Sequence, residues 1–321
     1  MDHHYRSLSY FPIQLFAVVM GISGLTIAFA KAYHTLGVPF VVYQGLLGLD
    51  TVVFLGILTT YIFKWVLRPE AVAKEFVHPI KSSFVATISI SFLLVSIAYY
   101  DYVPHLSIAL WYIGAPLQLY FTLKVLSFWI NNQFKEVHSN PAWFIPIVGN
   151  VLVPVVGVDA APIYVSVFFF ALGMFFWIVL FTMVMYRIIF HHPMAKKLIP
   201  TLFIFIAPPA IGFVSYFRIS YGSIDMVSMS LYFLALLTFF MLAFMIKKFD
   251  TKEFFISWWA YTFPLAALTI ATIMLENVFK NDMLFYGSYF FLSLTTFVVG
   301  FVAYRTIQEI QKEKICIEEI E

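Results

Sequence analysis

The chain has one cysteine, Cys316, so it can form no internal disulfide and offers no cysteine cluster to a metal. It is also poor in charge. Asp, Glu, Lys and Arg make up 11% of the 321 residues, against about 25% in ordinary soluble proteins. With 62% hydrophobic residues and a mean hydropathy of +0.90, this scarcity excludes a water-soluble fold, a disordered chain and a basic nucleic-acid binder. The formal net charge of +2 points to no strongly acidic or basic partner. The eight histidines (His3, His4, His34, His78, His105, His138, His191 and His192) fall outside the apolar runs or at their edges, and no two sit at haem or metal spacing within one run. No HExxH, GxSxG or phosphate-loop pattern occurs. Neither an enzyme nor a cofactor site is expected.

What the sequence has in abundance is long apolar runs. A membrane-spanning helix needs about 20 apolar residues. Ten segments qualify, at roughly 11–32, 39–63, 79–101, 104–130, 142–157, 162–189, 198–218, 224–246, 254–277 and 283–304. The first is too long for the apolar core of a signal peptide, and no small-x-small cleavage pattern follows it. The expected organisation is a short N-terminal segment (1–10), one membrane domain (11–304) and a polar tail (305–321), with no room for attached regulatory domains.

Charge supports the count. Lys and Arg gather on the cytoplasmic side of short loops. With ten spans, the termini and the loops after even spans share one side, and that side carries 16 of the 19 Lys and Arg residues. Only Lys31, Arg218 and Lys280 fall opposite. A multi-pass protein of the cell membrane (the inner membrane in a Gram-negative source) with both termini cytoplasmic is expected. Trp65, Trp129, Trp143, Trp258 and Trp259 lie near the cytoplasmic ends of runs, as interfacial rings should; Trp111 and Trp177 fit this pattern less well.

Prolines are unevenly spread. One per odd segment, at 12, 79, 141, 200 and 264, gives separations of 67, 62, 59 and 64, a loose repeat of five helix pairs. Among even segments only Pro116 is clearly interior. A proline inside a span frees a backbone carbonyl, which is tolerated where it is buried in protein or lines a wet cavity. The odd helices are therefore expected to form an inner ring kinked at Pro154, Pro208 and Pro264, and the even ones an outer ring. Helix-starting prolines account for Pro12, Pro79 and Pro141 equally well. Small and hydroxylated residues also favour odd segments. They serve close packing or a pore wall, and the lining candidates are Ser82, Thr87, Gly149, Gly212, Thr262 and Ala266.

The runs WWAYTFPLAALTIATI (258–273), NPAWFIPIVGNVLVP (140–154) and HPMAKKLIPTLFIFIAPPA (192–210) resemble the tellurite-resistance/dicarboxylate transporter family. Its members include bacterial TehA, plant guard-cell slow anion channels, the fungal malate permease and the sulfite efflux pump. WWAYTFP is most similar to the TehA and slow-anion-channel branch. The resemblance implies an all-α membrane fold of five helical hairpins around a quasi-fivefold central pore, assembled as a homotrimer with one pore per protomer. It also implies an aromatic gate at the pore centre, which by position in the motif is Phe263. The activity implied is conduction of small monovalent anions of the chloride or nitrate type. A proton-coupled carrier or exporter of malate, sulfite or another small anion is the alternative.

Ionisable residues inside spans are functional hypotheses by default. Asp50, Lys124, Arg187, Arg218 and Glu276 are the candidates. All but Asp50 lie near span ends, where they can reach water. Asp50 lies mid-span on an even helix and is expected to be hydrogen-bonded between helices. No odd helix carries a central basic residue, so an anion would be held weakly, by hydroxyls, backbone and helix ends.

Overall fold

A computed structural model describes residues 8–249 and 253–317. Arg6, Lys252, His3 and His4 lie outside the described residues, as does the end of the tail from 318. Among the described residues all regular structure is helical. Ten helices are long and apolar enough to cross a membrane: Ile13–Leu36, Phe40–Leu67, Lys81–Tyr99, Pro104–Asn131, Pro141–Ala160, Ile163–Phe190, Lys196–Ile219, Met226–Phe244, Ile256–Phe279 and Asp282–Gln311. These are the first to tenth spans below.

The spans fall into two kinds. The most apolar stretch of each odd span is 78–89% buried, and that of each even span only 22–39%. Even helices that are apolar all round and largely uncovered suit a lipid-facing position. Each odd span packs on two other odd spans, in the cyclic order first, third, fifth, seventh, ninth and back to the first. Each even span lies against the odd span before it and the odd span after it, the tenth closing onto the first. The molecule is thus a closed inner ring of five helices with an outer helix over each seam.

The two kinds also differ in backbone. The even spans are α-helical throughout. Every odd span starts as a tight 3-10 turn and becomes α-helical part-way: after Leu15 in the first, Ala86 in the third, Ile206 in the seventh and Tyr261 in the ninth. The fifth alternates, with 3-10 turns at Pro141–Trp143 and Gly149–Leu152. In the fifth, seventh and ninth spans proline sits where an α-helix begins. Pro154 opens Pro154–Ala160, Pro208 follows Ala207 at the start of Ala207–Ile219, and Pro264 lies in the first turn of Thr262–Phe279. A first turn has no N–H bond to lose, so proline fits there without penalty. Helix starts and mid-span breaks, two separate readings of the prolines in the sequence, therefore fall at the same places.

Short connections start the outer helices at the end opposite the basic residues. Pro39, Pro104 and Pro162 open the second, fourth and sixth spans. The carboxylate of Asp225 caps the eighth by accepting from the N–H groups of Val227 and Ser228, and Asn281 caps the tenth. Tyr216 also donates to Asp225, and with those backbone bonds it holds the carboxyl below the usual carboxylate range. At the basic end the connections are longer. The one after the second span carries a further amphipathic helix, Pro69–Val77.

Candidate pore

At the basic end two cavities meet. The outer one, of about 1670 Å³, is a wide charged vestibule bordered by the helix Pro69–Val77, Glu253–Ile256, Arg305 and the tail as far as Ile317. The inner one, of about 270 Å³, shares His78, Lys81, Phe255 and Ile256 with it. All five odd spans contribute to the inner wall, through Met20, Phe84, Val148, Ile211 and Phe263 among others. Its charged and titratable groups are His78, just before the third span, and Lys81 and Lys197, at the beginnings of the third and seventh; deeper residues are mainly apolar. In every odd span a residue at a change from 3-10 to α-helix borders this cavity: Ala17, Phe84, Leu152, Pro208 and Phe263.

Phe263 is 7% exposed and sits between the 3-10 turn Ile256–Tyr261 and Pro264. The neighbouring motif residues fix that turn. The indole of Trp259 donates to Thr306 Oγ1 on the tenth span (2.9 Å), and Thr262 Oγ1 donates to the Trp259 carbonyl (2.7 Å). Arg305 lies over the ring of Trp258, 5.4 Å from its centroid. From the first span, Gly21 packs on Trp259 and Thr262, and Gly24 packs on Phe263. A Cβ on Gly24 would stand 2.9 Å from Ala266 Cβ and 3.3 Å from Cδ2 of the Phe263 ring, so glycine is what allows this approach.

Of the lining candidates, Gly149 borders the inner cavity, as do Pro208 and Pro264. Ser82, Thr87, Gly212, Thr262, Ala266 and Pro154 are not among its lining residues. They are packed between helices. Thr87 Oγ1 donates to the Phe84 carbonyl, Gly212 makes room for Met174 and Leu231, and Ala266 abuts Gly24. Most hydroxyls of the odd spans are spent in the same way, on carbonyls of their own helix, as with Thr26, Ser91, Thr201 and Thr272.

The breaks in the fifth span free several carbonyls, and donors from neighbouring helices meet them. Gln118 Nε2 and Thr122 Oγ1 donate to Pro146 (3.0 and 2.7 Å), Trp111 Nε1 to Val153 (2.8 Å) and Arg218 Nε to Val155 (3.0 Å). Ser215 donates to Val151. Broken helices survive in a membrane only with such replacement partners. Trp111, which does not fit an interfacial belt, is explained by this bond. Gln118 carried no comparable signal in the sequence: it is one of several polar residues on an outer helix, with Ser107, Thr122 and Lys124.

The remaining ionisable candidates divide. Arg218 pairs with Asp159 and Tyr100 and so braces the third, fifth and seventh spans at the end away from the basic residues. Lys124 is exposed, its ammonium 5.2 Å from the Phe76 ring centroid. Arg187 and Glu276 are buried, with Arg187 Nε and Nη1 and Glu276 Oε2 unpartnered among the described residues. Asp50 is fully buried, accepts from Ser23 Oγ at 2.8 Å and does not border the cavity.

A closed ring of five broken helices sheathed by five largely uncovered apolar ones, with a cavity walled by all five inner helices, defines a multi-pass membrane protein. The chain belongs to the SLAC1 family, described as voltage-dependent anion channel, whose family model matches residues 10–307. It is 33% identical over 282 residues to the S-type anion channel SLAH2 of Arabidopsis thaliana, covering 85% of this chain and 54% of that one. It is 30% identical to SLAH3 of the same plant, covering 88% of this chain and 46% of that one. The chain thus spans about half the length of these plant relatives. Over nearly full lengths (94% of this chain and 91% of the other) it is 23% identical to the tellurite resistance protein TehA homolog of Haemophilus influenzae.

Proposed function

We propose that the protein is a channel for small monovalent anions such as chloride and nitrate, with one pathway through each inner ring, closed at rest by the Phe263 ring. The observation that carries this reading is the position of Phe263 on a cavity walled by all five inner helices. A bulky ring in a narrow apolar passage excludes water, and a dewetted constriction blocks ions. The basic end is taken as cytoplasmic, following the Lys and Arg bias. The mouth residues Lys81 and Lys197 would concentrate anions there, while the apolar interior offers no strong site. Weak binding suits fast passage and leaves selectivity to the cost of dehydration.

The names of the S-type anion channel relatives support an anion as the substrate. A proton-coupled carrier needs a titrating group on the pathway. Asp50, the mid-span carboxyl, is packed between the first and second spans away from the cavity, which favours the channel. Assembly as a homotrimer in the cell membrane, with lipid against the outer helices, completes the proposal.

Purified protein in planar bilayers tests it. Under opposed potassium and chloride gradients, the reversal potential should follow chloride, in unitary steps. A reversal potential that follows potassium rejects the anion assignment, and saturable proton-linked flux without unitary steps favours the carrier.

A further inference from the structure

The pathway just described gives Asp50 no task, although it is a fully buried carboxyl midway along the second span. An acidic group in that position is costly unless it is hydrogen-bonded. It makes one such bond, accepting from Ser23 Oγ on the first span at 2.8 Å, while Oδ2 has no partner among the described residues. Ser23 directly precedes Gly24, which seats the Phe263 ring. Successive residues on a helix point about 100° apart. The first span is therefore held by Asp50 on one side and bears against Phe263 on another.

We propose that Asp50 is a positioning residue for the Phe263 ring. Through Ser23 it fixes the rotation and depth of the first span, and so the fit of Gly24 against the ring. Apolar packing between spans tolerates small slides, because lipid and side chains are equally apolar; a directed bond between two side chains does not. The inference rests on the reading of Phe263 as the closing ring.

The test compares resting anion conductance in planar bilayers for Asp50→Ala, Ser23→Ala and Asp50→Asn, each alone and combined with Phe263→Ala. Asp50→Ala and Ser23→Ala should each raise conductance about 2- to 10-fold, the equivalent of one buried hydrogen bond. Asp50→Asn keeps an oxygen that accepts from Ser23 and should stay at the parent level. In the Phe263→Ala background none of the three should add anything. Thermal midpoints in detergent are measured alongside. A midpoint lowered equally in both backgrounds, with resting conductance unchanged, means a merely structural carboxyl and overturns the proposal. So does a gain that persists in full once Phe263 is alanine. If Asp50→Ala fails to fold, Ser23→Ala removes the same bond from the other side and decides the matter. No gain in Phe263→Ala itself removes the gate reading and this role together; a gain there with none in Ser23→Ala or Asp50→Ala removes the positioning role alone.

Discussion

The ammonium of Lys64 lies 2.8 Å from Glu75 Oε1, with 1% of the lysine side chain and 9% of the glutamate side chain exposed. Lys64 also donates to the carbonyl of Phe11 (2.8 Å), and Tyr61 donates to Glu75 Oε2 (2.8 Å). One buried pair thus ties the helix Pro69–Val77 to the second span and to the start of the first, and so shapes the vestibule.

Removing one partner of such a pair strands a buried charge, at a cost of about 3–5 kcal/mol. Glu75→Leu should lower the thermal midpoint in detergent sharply. Lys64→Met combined with Glu75→Gln, which leaves Tyr61 an acceptor, should recover most of the loss. A double variant no better than Glu75→Leu would show that the charges themselves hold the helix.

Phe263→Ala should raise resting anion conductance with fold and assembly intact, and Phe263→Leu should fall between it and the parent. The opposing possibility is loss of packing. An ordinary core ring costs about 3–5 kcal/mol on truncation to alanine and would lower yield without adding current. Single-channel recording together with detergent gel filtration separates the two. A stable Phe263→Ala protein with unchanged low conductance removes the gate assignment.

Trp111→Phe keeps most of the ring volume but leaves the Val153 carbonyl unmet. It should cost about 1–3 kcal/mol, the price of a buried acceptor without a partner. Trp177→Phe should change stability little, since its indole nitrogen has no partner among the described residues. Chemical denaturation in mixed micelles checks both, and equal effects would contradict the role given to Trp111.

Topology is checked by labelling. With Cys316 replaced, a cysteine placed after Lys196 should stay protected from an impermeant thiol reagent in intact cells, and one beside Lys280 should react. The reverse pattern would turn the cytoplasmic assignment around.

Much of the architecture was legible in the sequence because a bilayer imposes simple rules. Apolar length located ten helices, with ends within a few residues except in the tenth, which runs seven residues past its expected end to Gln311, and the prolines separated inner from outer. The cavity wall was harder to read. Hydroxyls such as Thr87 and Thr262 have the composition of a pore lining, but in a helix each can turn to a carbonyl three or four residues back, and these do. Which face a residue presents depends on rotation about the helix axis, and helices that are apolar all round carry no periodic signal to set it. Lys64 and Glu75 stand 11 residues apart with no motif to link them, and only folding brings them together. Trp111 was conspicuous by position alone, and its carbonyl partner lies 42 residues away.

The switch from 3-10 to α-helix inside each inner span has a geometric consequence. A 3-10 helix climbs about 2.0 Å per residue and an α-helix about 1.5 Å. With its 11-residue 3-10 portion, the 24-residue seventh span reaches about 41 Å, nearly the length of the 28-residue sixth span, which is all α-helix. The same stretch is also the slimmer form, with three residues per turn instead of 3.6. Where the inner helices run as 3-10 turns, longest in the seventh and ninth spans, the slimmer backbone leaves more room on the basic side, where the inner cavity lies. Part of that space is made by the backbone itself, before any side chain narrows it.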